Sequence, residues 1–127
     1  MSEPQRIMSL LSQPGPIRYE HFIKRAADTQ HVWGLFSDGW ALARRDDGAQ
    51  VFPVWPSPEL AALCASGDWA GYQPRDIPIA DFLDELLPQL KKDGVYPGIF
   101  YTPTGQGVLP EHQQLTDDLH AELAKYE

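Results

Sequence analysis

The dipeptide Asp38-Gly39 stands between two apolar runs, residues 31–36 (HVWGLF) and 40–44 (WALAR). Asp-Gly is a strong short hairpin signal, because both central residues of a type I′ turn need positive φ and these two residue types tolerate it. The two runs are therefore expected to lie antiparallel. Asp46-Asp47-Gly48 repeats the signal, with the glycine expected in a left-handed bulge, and residues 49–55 return as a third strand. Within that strand Val51, Pro53 and Trp55 share one face and Phe52 and Val54 the other. Pro53 has no N–H to give a ladder, so the strand is expected at an edge or bulge there.

The next residues turn the sheet into a helix. In Trp55-Pro56-Ser57-Pro58-Glu59-Leu60, Ser57 suits the N-cap, Pro58 the first helical position and Glu59 the positive end of the helix dipole. Leu60, Leu63 and Cys64 face inward until Ser66-Gly67 stops the helix. Capping accounts for Ser57 without a catalytic role, since no GxSxG elbow surrounds it.

Elsewhere the apolar spacing predicts three more helices and one or two more strands. Residues 1–16 read as a flexible tail that ends at Gln13-Pro14-Gly15-Pro16, and residues 17–127 as one domain. Tyr19, Phe22, Ile23, Ala26 and Ala27 give a helix over 18–29. Phe82, Leu83, Leu86, Leu87 and Leu90 give one over 80–92, kinked at Pro88. Leu115, Leu119, Leu123 and Tyr126 give a last one over 110–126. A short strand is expected at 75–79 and a longer one at 95–101. The fold class is α+β: a three-stranded antiparallel meander extended by one or two strands, with helices packed mainly on one face.

Charge narrows the partners. Net charge is -8 over 127 residues. Residues 1–45 carry +2 and residues 46–127 carry -10, which argues against a phosphate-neutralising face and so against nucleic acid. No run approaches the ~20 apolar residues of a membrane span. The N-terminus lacks a secretory pattern, and a single cysteine forms no internal disulfide, so a cytoplasmic protein is expected.

No constellation of catalytic residues emerges. His21, His31, His112 and His120 form no HxxxH or Cys/His set, so no metal is expected. Cys64 has no basic neighbour in sequence to activate it and reads as a small buried hydrophobe. Thr104-Gly105-Gln106-Gly107 lies between a strand and a helix, but it lacks lysine and Glu111 follows, so no phosphate or other cofactor is expected. What remains are aromatics. Trp40, Trp55, Trp69, Tyr72 and Tyr101 are the candidate partner- or ligand-binding residues, Trp69 and Tyr72 because they sit in a glycine-flanked loop.

Five stretches resemble a bacterial family known only as a domain of unknown function, DUF2750. They are Arg18-Tyr19-Glu20-His21-Phe22, Asp38-Gly39-Trp40, Pro53-Val54-Trp55-Pro56-Ser57, residues 64–69 (CASGDW) and residues 81–94 (DFLDELLPQLKKDG). The likeness covers about 110 residues. Pro78-Ile79 departs from the pattern, which more usually has a polar cap before that helix. The resemblance implies no activity, substrate or cofactor, and carries over no catalytic residue. At the level of fold the chain also looks like small bacterial accessory or immunity modules.

The reading is therefore a non-enzymatic module that binds a protein partner, basic by complementarity to the acidic remainder. One alternative is a small-molecule binder or enzyme with a pocket between loops 67–78 and 102–107. Another is a homodimer or larger homo-oligomer in which the +2 segment docks on the acidic part.

Overall fold

The computed structural model describes residues 8–103, 105 and 107–126. A helical turn at 8–11 precedes helix α1 (Gly15–Thr29), strand β1 (His31–Phe36), β2 (Ala43–Arg44) and β3 (Gln50–Val54). Helix α2 (Pro58–Leu63), β4 (Gln73–Pro78), helix α3 (79–93), β5 (Tyr96–Ile99) and α4 (His112–Ala124) complete the α+β domain. Of the tail expected at 1–16, residues 1–7 lie outside the described residues; Leu10 and Leu11 pack against the core. Helix α1 starts three residues before the predicted Arg18, because Pro14 caps it and proline in the first turn needs no N–H partner.

Four prolines lie within the strands, and their positions explain the sheet. Trp33 and Trp55 exchange backbone hydrogen bonds of 2.9 and 2.7 Å, so β1 and the end of β3 run antiparallel as direct neighbours. Val51 pairs with Ala43 of β2 on that same edge of β3. Pro53 falls between them, where it has no N–H to offer Leu35. The Leu35 carbonyl instead accepts from Ala41 N–H at 2.8 Å. This breaks the expected meander. The chain after the first turn stays beside β1 only at the Phe36–Trp40 bridge, then leaves to pair with β3.

The first turn also differs from expectation. Its bridge encloses residues 37–39, and only Asp38 has positive φ (58°), so it is not a two-residue type I′ turn. The second turn is as read. Gly48 is left-handed (φ 89°), and Arg45 and Ala49 close the loop through Ala49 O. β3 is not an edge strand. It lies between β2 and a parallel β5, and Val51, Phe52, Val54 and Trp55 are all buried.

The outer edges use the remaining prolines. β4 pairs antiparallel with β1, and its register turns the backbone groups of Pro74, Asp76 and Pro78 outward. Two of those three positions have no N–H. On β5 the outward positions are Pro97 and Ile99, and Ile99 exchanges hydrogen bonds of 2.7 and 2.8 Å with Val108. Edge strands so blunted resist pairing with another chain.

Helix α3 is continuous but contains a π-helical segment, Phe82–Leu86, between α-helical turns Ile79–Asp81 and Leu87–Asp93. Leu87 N–H reaches Phe82 O, five residues back. Pro88 follows directly and lacks the donor for its own turn, so the widened register accommodates the proline where a kink was expected. Pro78 caps this helix without a side-chain hydrogen bond. Phe82, Leu87, Leu115, Leu119, Phe22 and Ile99 meet in one core.

Candidate functional site

The site begins where β5 ends. Phe100 adopts a left-handed backbone, φ 59°, which costs an aromatic residue roughly 1–3 kcal/mol. Its surroundings hold it there. The ring is fully buried, the N–H donates to Val54 O at 2.9 Å, and the carbonyl accepts from Arg18 Nε at 3.3 Å. The consequence is that the next residue, Tyr101, is turned out of the strand line.

Two glycines then seat the Tyr101 ring. A Cβ on Gly98 would stand 2.7 Å from Tyr101 Cε1, and one on Gly107 would stand 2.5 Å from Tyr101 Cδ1. No other residue type leaves room for that ring. Tyr101 O accepts from Trp55 Nε1 at 2.9 Å and from Cys64 Sγ at 3.3 Å. Burial pushes the Tyr101 phenol above its ordinary pKa.

Trp69 lies on the other side. It closes a 3₁₀ turn, Gly67–Trp69, and meets both Trp55 and Tyr101 edge-on, each at 6.0 Å between ring centroids. Its Nε1 makes a long hydrogen bond, 3.4 Å, to Leu42 O just before β2. Three chain segments thus converge on one open cleft of about 340 Å³. Leu42 and Arg44 form one wall, Cys64, Asp68 and Trp69 the second, and Tyr101 with Thr102 and Pro103 the third.

Of the five aromatics singled out in the sequence, the structure brings three together. Trp69 and Tyr101 line the cleft, and Trp55 is buried beneath them. Trp40 packs instead on Phe36 (5.2 Å) and Phe52 (5.4 Å), and Tyr72 follows the 3₁₀ turn without lining the cleft. Sequence reasoning missed Leu42 and Arg44, and it included Asp68 only as part of the loop 67–78 in the alternative pocket. Asp68 adjoins Trp69 in the CASGDW stretch, which could have flagged it; only the tertiary fold brings Arg44 near.

The Cys64 thiol is held up at about 11 by burial, against a smaller opposing effect of its contact with Trp55, so it stays protonated at neutral pH. No histidine lines the cleft among the described residues. His21 lies against the Phe100 ring, with its pKa lowered by burial and then by Arg25. His112 lies beside Tyr96, 2.7 Å from Val95 O. Among the described residues no three His, Cys, Asp or Glu side chains converge as metal ligands, and no helix is long and apolar enough to cross a membrane. Ser57 caps α2 as expected, accepting from Leu60 N–H at 3.3 Å. A second concavity of about 340 Å³ lies between Tyr19 and Leu109, but the Tyr19 hydroxyl there is committed to Asp118 at 2.6 Å.

A family model described as "Protein of unknown function (DUF2750)" matches residues 19–119. No curated protein matches the chain.

Proposed function

Since the chain belongs to the DUF2750 family, whose description carries no activity, we propose a function from the cleft itself: a non-enzymatic module that binds a protein partner by taking a projecting side chain between Trp69, Tyr101 and Leu42. The observation that carries this reading is the ring cluster. Trp55 and Tyr101 are buried and the Trp55 indole donates to Tyr101 O, so Trp69 is presented on a rigid base at low entropic cost. The cleft is open and near the lower end of the size range of small-molecule sites, which suits one or two side chains of a larger partner. Its neutral thiol offers no activated nucleophile. Strand addition is disfavoured as the binding mode, because Pro74 and Pro78 remove two of three outward donors from the β4 edge.

The test is selection of a displayed peptide library on the immobilised full chain and, in parallel, on Trp69→Ala. Sequences enriched on the wild type and lost on Trp69→Ala, with both proteins giving matching circular dichroism, are the expected result. No enrichment, or equal enrichment on both, would refute the reading. A melting temperature raised instead by a small metabolite would transfer the cleft to small-molecule binding.

A further inference from the structure

Arg44 and Asp68 face the same cleft from different walls, β2 and the 3₁₀ turn. Both are exposed, and neither side chain has a hydrogen bond or ion pair among the described residues. Their charges are opposite in sign, and they stand on two walls of one open cleft. We infer, resting on the partner-binding reading above, that the cleft recognises a dipolar protein segment, with a basic side chain set between Trp69 and Asp68 and a neighbouring carboxylate on Arg44.

Each half has its own physical basis. An indole beside a carboxylate is suited to a guanidinium or ammonium, which gains from the ring quadrupole and the opposite charge together. The arginine fork matches a carboxylate with two parallel donors, and it orients the segment so that the cation cannot sit on the Arg44 side. The long-range field agrees with a basic partner, since residues 46–127 carry -10. The opposed pair then selects among basic segments those with an adjacent acid.

The experiment is amide and indole NMR on the ¹⁵N-labelled full chain, titrated with N-acetyl-Arg-Asp-amide in the millimolar range. Control probes replace arginine by neutral citrulline, or aspartate by asparagine. The Trp69 indole N–H should shift with the parent probe, and each control should bind about fivefold more weakly. Asp68→Asn should abolish the difference between arginine and citrulline, and Arg44→Gln the difference between aspartate and asparagine; both are exposed substitutions. No shift at Trp69, or a shift indifferent to both charge removals, overturns the inference. So does free arginine saturating at lower concentration than the capped dipeptide, which would make the ligand a free amino acid. The library selection separates the two levels: Trp69-dependent enrichment without basic-acidic pairs sinks the charge assignment and leaves the partner-binding reading standing.

Discussion

The indole N–H of Trp55 donates to the carbonyl oxygen of Tyr101 across 2.9 Å, in the buried floor of the cleft. The two residues are 46 positions apart, and the bond ties the end of the β3 segment to the chain leaving β5. Cys64 Sγ donates to the same oxygen.

Removing the indole donor tests that tie. Trp55→Phe keeps an aromatic ring in the core but loses the bond and leaves a small void. It should cost about 2–4 kcal/mol, read as a lower urea midpoint at unchanged slope. Cys64→Ala removes a weaker donor and a smaller side chain and should cost about 1–2 kcal/mol.

The glycine seats of Tyr101 make a second test. At Gly98 a Cβ would also stand 2.5 Å from Val51 Cγ1, so Gly98→Ala should overpack the floor and cost about 1–3 kcal/mol. Gly39 has nothing within 4 Å of its would-be Cβ, and its φ is not in the left-handed region. Gly39→Ala should therefore stay within about 0.5 kcal/mol of the wild type in the same assay.

Alkaline pH should destabilise the fold. Cys64 rises from the ordinary 9.0 to about 11, chiefly by burial. Tyr101 rises from 10.0 by burial, and Tyr19 rises by burial, then by donating to Asp118 and by that carboxylate's charge. In each case the unfolded chain releases its proton first, so it binds fewer protons than the native state and stability falls with pH. Stability should thus decline from about pH 9 upward through pH 11. A flat denaturant midpoint across pH 8.5–11, measured at constant ionic strength, would contradict this. Iodoacetamide should correspondingly label native Cys64 far more slowly than the urea-unfolded chain at pH 8.

Restoring donors to the sheet edge should make it adhesive. Pro74→Thr with Pro78→Thr returns N–H groups to two outward positions of β4. The double variant should associate in sedimentation velocity as concentration rises, to a greater degree than the wild type at the same concentrations.

Local chemistry was well legible. Ser57 at its N-cap, Gly48 in its bulge and the apolar stripes of α1 and α3 and of α4 at Leu115 and Leu119 all depend on neighbours within a few residues, and the sequence carries those neighbours; Leu63 and Tyr126, expected to face inward, are exposed, because each lies at or beyond the end of its helix. Proline was legible in kind but not in place. That Pro53 lacks a donor is evident from its identity; that it sits at the junction of two partner strands inside the sheet, rather than at an edge, follows only from the Trp33–Trp55 pairing. Likewise Pro88 announces a disturbed helix, but that the disturbance is a π-helical turn over Phe82–Leu86 is seen only in the folded chain.

The candidate site divides the same way. Residue types by themselves marked Trp55, Trp69 and Tyr101 as possible anchors, because large rings must either fill a core or make contacts. Whether they meet was decided by tertiary structure. Phe100 turns left-handed where Val54 and Arg18 hold its backbone, and Gly98 and Gly107 leave the hollow into which Tyr101 folds. Arg44 and Asp68, 24 positions apart, share a cleft for the same reason: contacts between distant segments depend on the whole packing problem, which no short window of sequence contains.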